Sequence, residues 1–225
     1  MYYMMVLLVN NQMLDAAPDC LHDFYTRYPH LLHDAQVMAA KKPAKVDTTG
    51  ILYVRQKQWA ATQPGELLDN GQVLDLVTVD IIRAMLQEVT GCGTDDLLTC
   101  HAIIFRDSVS GVTAIAHFDE FSRKWDFEGM EDDFLNKVNL VRQRTAWEYD
   151  EEAGDGDWEW WDDEEEIQET EHDPEAIYEL HLLGGYADDS KRGHKLTQRF
   201  MHHLHHDVKM KLNIVSCCLG PPNTK

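Results

Sequence analysis

The chain has 225 residues, 44% of them hydrophobic, which is enough to bury one substantial core. Its formal charge is -20, yet sixteen Asp and Glu and no Lys or Arg lie between Glu148 and Glu175. The rest of the chain carries 24 acidic and 20 basic residues, so it is only mildly acidic. Because the bases are scattered rather than clustered, the composition excludes nucleic acid as a partner.

The chain lacks the patterns of a membrane or secreted protein. No apolar run reaches the roughly 18 to 20 residues that span a bilayer. The apolar start, residues 1–9, has no positive flank and no small-residue cleavage pattern, so it is not interpreted as a signal peptide. The five cysteines are an odd number, which is typical of a reducing compartment. We therefore expect a soluble protein of the cytoplasm, with the nucleus as a second compartment.

The first half of the chain predicts helices followed by a strand and a further helix. Apolar residues with helical spacing predict one or two short helices within residues 18–38, interrupted at Pro29. A run rich in β-branched and aromatic residues predicts a strand over residues 50–59. Residues 78–89 again have helical spacing and stop at Gly91.

The centre of the chain predicts a β-hairpin that carries two residues suited to catalysis. Residues 97–105 and 112–117 are strand-like and flank a polar turn. Cys100 falls on the first strand and His117 near the end of the second. Neighbouring antiparallel strands lie about 5 Å apart, so the hairpin can bring both side chains to one rim of the sheet. A thiol needs such a partner to become a nucleophilic thiolate.

The remaining segments complete an α+β pattern. Residues 132–144 predict a helix, and the acidic tract over residues 148–175 predicts a disordered insertion because its charges repel one another. Its three tryptophans leave a basic docking partner as an open alternative. A strand, a helix and a strand follow over residues 178–185, 195–208 and 212–218. We therefore expect a layered sheet with helices packed on it, forming one domain over residues 1–225.

Four stretches of the sequence together resemble the protein N-terminal asparagine amidohydrolases. They are residues 50–62 (GILYVRQKQWAAT), 99–105 (TCHAIIF), 116–119 (AHFD) and 179–189 (ELHLLGGYADD). The resemblance implies that Cys100 of the Thr-Cys-His motif is the nucleophile. Relatives in the wider group, the bacterial chemoreceptor glutamine deamidases, imply His117 as its partner and Thr94 as a third member. The resemblance also implies that this chain is C-terminally incomplete and carries insertions.

The implied reaction converts an N-terminal asparagine to aspartate through a thioester, with no metal or organic cofactor. Cys100 would attack the side-chain amide, His117 would protonate the departing ammonia, and water would release the product. Such an activity would feed the N-degron pathway of protein degradation. Two alternatives stay open: a catalytically inactive binding or regulatory relative, and a deamidase of internal glutamine.

Several other residues admit both a functional and a structural interpretation. Asp188 and Asp189 fit a helix cap, with binding of the substrate's α-ammonium as the alternative. His101 should point away from Cys100, because side chains alternate along a strand. A zinc site built from Cys92, Cys100, His101 and His117 matches no common ligand spacing. The histidines near residue 203 are expected on a surface or partly packed face, and Cys217 and Cys218 in the core. The four histidines are His202, His203, His205 and His206.

Overall fold

The computed structural model describes residues 6–41, 51–63, 91–94, 97, 99–151, 173, 175–185 and 192–220. The strands are β1 Val6–Val9, β2 Gln12–Met13, β3 Ile51–Tyr53, β4 Trp59–Thr62, β5 Gly91–Gly93, β6 His101–Arg106, β7 Thr113–Phe118, β8 Ile177–Gly184 and β9 Lys211–Leu219. The helices are α1 Leu21–Arg27, α2 Pro29–Ala40, α3 Lys124–Glu151 and α4 Arg192–His206.

Within these residues, seven strands form a mixed sheet in the order β2-β1-β9-β8-β6-β7-β4. The β6–β7 hairpin is antiparallel, β6 pairs antiparallel with β8, and β9 pairs parallel with both β8 and β1. Strands β3 and β5 pair parallel in a small second sheet. This arrangement confirms the expected α+β class with helices packed on a sheet.

Helices cover the sheet on its two faces. Alternate residues of β6 and β7 face α3 and α4: the ring of Phe105 packs on Phe134, and that of Phe118 on Phe127 and Phe200. On the other side α2 lies against β9, where Cys218 Sγ contacts Ala35 O at 3.7 Å. The helix faces are apolar at helical spacing, and their burial supplies the core.

Most predicted elements are present, with shifted bounds. The helices within residues 18–38 are α1 and α2, and the interruption falls at Pro29, which is the first residue of α2. The predicted strand over 50–59 was wrong in its length, because β3 ends at Tyr53 and a turn intervenes before β4. Strand β1, in a segment for which no strand was predicted, is buried throughout. The helix predicted over 78–89 lies outside the described residues.

The helix predicted over 132–144 is longer at both ends. It begins at Lys124 and continues to Glu151, so the first four residues of the predicted disordered insertion, 148–151, are helical. Most of the remaining acidic tract lies outside the described residues. No described helix combines the length and the apolarity that crossing a bilayer requires.

Candidate active site

Cys100 and His117 lie at one end of the β6–β7 hairpin, on the same face of the sheet. His117 is directly opposite Ala102 in the antiparallel ladder. Cys100 precedes β6 immediately, rather than lying on it as expected, and is two residues before Ala102. Since alternate residues share a face, the two form a diagonal pair, for which about 7 to 8 Å is the typical spacing. The face is the one turned away from α3 and α4.

Thr94 reaches this end of the hairpin from the second sheet. It follows β5, and its Oγ1 lies 2.8 Å from His117 Nδ1. When Nδ1 carries the proton and donates it to the hydroxyl, Nε2 is left as the basic nitrogen. The structure thus places a hydroxyl at hydrogen-bond distance from the imidazole, at the end of the hairpin that also carries Cys100.

The thiol of Cys100 is buried and protonated at rest. Its residue is 9% exposed. Burial raises the pKa of Cys100, the negative charges of Asp119 and Glu120 raise it further, and a hydrogen bond with Thr99 acts in the opposite direction. The sequence suggested a thiol whose pKa is lowered by a neighbouring imidazole. In the structure the pKa of the Cys100 thiol is raised instead. A base must remove the proton when the sulfur attacks.

His101 points to the opposite face, as its neighbouring position predicted. Its Nε2 lies 2.7 Å from Thr197 Oγ1 on α4, and its ring packs edge-on against Phe200. Burial lowers the pKa of His101 to about 3, so the ring is neutral at physiological pH. This confirms a packing and hydrogen-bonding role, and it removes His101 from any zinc site shared with Cys100.

Gly184 and Gly185 let β8 approach the backbone at Cys100. They have φ angles of +106° and +65°, and Gly185 N donates to Cys100 O at 2.9 Å. A Cβ on Gly184 would overlap that carbonyl oxygen, and one on Gly185 would lie 2.6 Å from His101 Nε2. The Gly pair therefore serves close backbone approach.

Sequence reasoning did not assign a role to Asp119, which lies two residues after His117. Asp119 is 3% exposed, and its carboxylate accepts hydrogen bonds from Gln56 Nε2 at 2.8 Å and from Phe121 N at 2.8 Å. Lys57 Nζ lies 3.6 Å from it. The signal was present in the His-Phe-Asp sequence, since residues two apart on a strand share a face.

The remaining candidates differ in what the structure describes of them. Asp188 and Asp189 lie outside the described residues. The expectation of a surface or partly packed face was wrong for His203, which is buried with Nε2 2.9 Å from Glu131 Oε1, while the rings of His202 and His206 are 4.4 Å apart. Among the described residues, no three of His, Cys, Asp or Glu gather to hold a metal ion. Cys217 and Cys218 are buried, which confirms their structural role.

The fold and the site define an α+β protein with a thiol, an imidazole and a hydroxyl at one end of a mixed sheet. The family model described as protein N-terminal asparagine amidohydrolase matches residues 41–144 and 164–225. The chain belongs to this family, as its four sequence stretches predicted. The match omits residues 145–163, which contain part of the acidic tract.

Curated relatives carry the same name at low identity. The chain is 22% identical to protein N-terminal asparagine amidohydrolase of Sus scrofa over 92% of this chain and 50% of the relative. It is 23% identical to that of Mus musculus over 88% and 46%, and 21% identical to that of Homo sapiens over 92% and 50%. The chain thus spans about half the length of the curated relatives it matches.

Proposed function

We propose that this protein is a cysteine amidohydrolase that converts the N-terminal asparagine of proteins and peptides to aspartate. The observation that carries the proposal is the hydrogen bond of 2.8 Å between Thr94 Oγ1 and His117 Nδ1. It orients the imidazole on the sheet face that Cys100 shares, in a chain of the amidohydrolase family. The three groups are those that nucleophilic acyl transfer needs: a nucleophile, a base and an orienting partner.

The raised pKa of Cys100 sets the order of the first step. The thiol is neutral, so His117 Nε2 takes its proton as the sulfur attacks the side-chain amide carbon. Backbone N–H groups beside Cys100 stabilise the oxyanion. The imidazolium then gives the proton to the amide nitrogen, the C–N bond breaks, ammonia leaves and a thioester remains.

The second half of the reaction regenerates the thiol. His117 accepts a proton from water, whose oxygen forms a bond to the thioester carbon, and the C–S bond breaks. The proton returns to the sulfur, and aspartate is released. The net change is one water consumed and one ammonia produced. Every step uses groups of this chain and the substrate.

The test is incubation of the reduced chain with an asparagine-initiated peptide. We expect release of ammonia and a mass gain of about one dalton, and neither in the Cys100→Ala variant. An acetylated copy of the peptide should not react. If a blocked peptide with an internal glutamine reacts instead, the protein is the glutamine deamidase of the alternative interpretation.

One observation favours an inactive binding or regulatory relative. Burial and two neighbouring carboxylates hold the Cys100 thiol in its unreactive form. Binding of the asparagine-initiated peptide without ammonia release, with Cys100 shown to be reduced, would establish that alternative. A chain that neither binds nor converts the peptide would contradict both.

The biological setting follows from the proposed product. An N-terminal aspartate would feed the N-degron pathway, with proteins bearing N-terminal asparagine as partners and the cytoplasm or nucleus as the location.

We also propose that residues 1–225 form one amidohydrolase-like domain, since a single sheet joins β1 to β9. The acidic tract is proposed to bind a basic partner through charge attraction.

A further inference from the structure

A short segment of the chain connects the two sheets that carry the candidate site. Residues 54–58, here named the bridging segment, join β3 of the small sheet to β4 of the large one. The segment is closed by two hydrogen bonds, from Gln58 N to Arg55 O at 3.0 Å and from Arg55 N to Gln58 Oε1 at 3.2 Å. Lys57 lies in the left-handed region with φ of +65°.

The bridging segment holds both Thr94 and His117 through the backbone. On one side Val54 N donates to Gly93 O at 2.9 Å, directly before Thr94. On the other side Lys57 N donates to His117 O at 2.7 Å, and His117 N donates to Gln58 O at 3.0 Å. The distance between the hydroxyl of Thr94 and the ring of His117 therefore depends on the conformation of this segment.

Asp119 fixes the bridging segment in place. Its Oδ2 accepts from Gln56 Nε2 at 2.8 Å and lies 3.6 Å from Lys57 Nζ, while its Oδ1 accepts from Phe121 N at 2.8 Å. Ser122 Oγ adds a bond of 3.3 Å to Oδ1. A buried carboxylate with this many donors is satisfied and rigid. It ties the bridging segment to the turn that follows β7.

The turn that carries Asp119 is itself held from α4. Arg199 donates from Nη1 to Glu120 O at 3.0 Å and from Nη2 to Ser122 O at 2.6 Å. The same helix supplies Thr197 to His101, the residue after Cys100. One rigid helix thus supports both ends of the candidate site.

We propose that Asp119 is a positioning residue, whose carboxylate fixes the bridging segment so that Thr94 and His117 stay at hydrogen-bond distance. The proposal rests on the proposed function for its catalytic meaning. It also explains why a negative charge is kept beside a thiol whose ionisation it opposes. The charged groups around this carboxylate are Lys57 on the bridging segment and Glu120 beside it, with the Arg199 guanidinium on the backbone of the turn.

Two variants of the full-length chain separate geometry from charge. Asp119→Asn weakens the attachment of the bridging segment and removes a negative charge near Cys100. We expect kcat for the asparagine-initiated peptide to fall about tenfold, while KM stays within about twofold. Because a negative charge near the thiol is removed, the pH midpoint for alkylation of Cys100 by iodoacetamide should shift to lower pH.

Gln56→Ala removes one arm of the attachment and keeps the charge, and this side chain is exposed enough for the variant to fold. We expect kcat to fall several-fold with an unchanged alkylation midpoint. The matched control is Asp107→Asn at the other end of the hairpin, where a buried carboxylate also holds a turn. This control variant should lower the free energy of unfolding, whereas the pH midpoint of alkylation and kcat should stay unchanged.

An NMR measurement of ¹⁵N-labelled histidine judges the proposal without any substrate. In Asp119→Asn and Gln56→Ala the Nδ1 signal of His117 should move towards that of a free imidazole, and in Asp107→Asn it should not. An unchanged Nδ1 signal in both site variants would overturn the positioning role. A parent chain that fails to deamidate any peptide would overturn the proposed function alone, since the NMR and alkylation readouts do not require turnover.

Discussion

The two ends of the β6–β7 hairpin use the same device for different purposes. At the turn end, Asp107 is 2% exposed and accepts from Ser110 Oγ at 2.7 Å and Val109 N at 3.2 Å. At the site end, Asp119 is 3% exposed and accepts in the same manner from its own turn. Each strand of the hairpin thus ends in a buried aspartate that closes the following turn.

The difference lies in what surrounds each carboxylate. Burial acts to raise the pKa of Asp107, but hydrogen bonds from Ser110 and Val109 and the charge of Arg142 outweigh it and lower the pKa. Arg142 Nη2 lies 3.2 Å away. At the site end, the negative charge of Asp119 raises the pKa of the nearby Cys100 thiol. The surroundings of Asp107 at the turn end favour its ionised form and so stabilise the fold. At the site end Asp119 fixes the local geometry, although its charge makes the neighbouring thiol less acidic.

The largest expected effect is on the nucleophile. Cys100→Ser should lower kcat for the asparagine-initiated peptide by at least ~10³-fold, because a hydroxyl is a far weaker nucleophile at neutral pH. The control is Cys20→Ser, at the N-cap of α1, where serine also caps well and kcat should stay within about twofold. Equal losses in both variants, measured by ammonia release, would contradict a specific role for Cys100.

The glycines at the two ends should differ in stability effect. Gly184→Ala places a Cβ into the carbonyl oxygen of Cys100 at a left-handed φ, and should lower the free energy of unfolding by roughly 3 kcal/mol or more. Gly111→Ala at the turn end has φ of +75° and should cost about 1 kcal/mol. Urea unfolding of both variants measures the difference. Similar values would show that the close approach at Cys100 can relax.

Loss of the orienting hydroxyl should reduce turnover. Thr94→Val removes the hydrogen bond to His117 Nδ1, and kcat should fall about 10- to 100-fold with little change in the free energy of unfolding. Thr94→Ser should restore most of the rate. The control at the turn end is Thr113→Val, which removes a bond of 3.3 Å to Gly111 O. A Thr94→Val variant with parental kcat would remove Thr94 from the site.

A pH dependence of stability should also separate the two ends. His101 titrates near pH 6.5 when unfolded, and burial lowers its pKa to about 3 in the folded chain. The unfolded state therefore binds the extra proton between these values, so stability falls as pH drops through this window, by up to about 1.4 kcal/mol per unit. The His101→Gln variant should show a shallower fall between pH 6 and 4.

The turn end should respond only in more acid solution. The pKa of Asp107 is lowered from 3.8, so its contribution is present above that value and is lost as pH falls below it. Asp107→Asn should therefore leave the slope between pH 6 and 4 unchanged. Urea unfolding across this range tests both statements, and equal slopes in His101→Gln and the parent would contradict a buried neutral histidine.

Local patterns predicted most of the secondary structure, whereas the family resemblance selected the site residues. The hairpin, the α1–α2 pair, α4 and β9 follow from periodicity and turn residues in their own segments. Cys100, His117 and Thr94 came from the resemblance to the amidohydrolases and their wider relatives, and the strand ladder then placed Cys100 and His117 on one face.

Long-range pairing and electrostatics could not be predicted from the sequence. β1 is a run of four apolar residues whose partner is more than two hundred residues away, so no local pattern reveals it. The break between β3 and β4 depends on the turn at Lys57, where a lysine adopts a left-handed φ. The raised pKa of Cys100 arises from burial and from carboxylates brought close only by the fold.

The parallel pairing of β1 with β9 has a consequence for how the protein is made. β9 lies between β1 and β8, so the N-terminal strand with its helices has no sheet edge to join until residue 219 has left the ribosome. Contacts of such long sequence separation slow folding and leave apolar edges uncovered while the chain grows. The β6–β8 region can form its ladder earlier. Nascent chains should therefore depend on chaperones to shield β1, whose four residues are buried in the finished sheet.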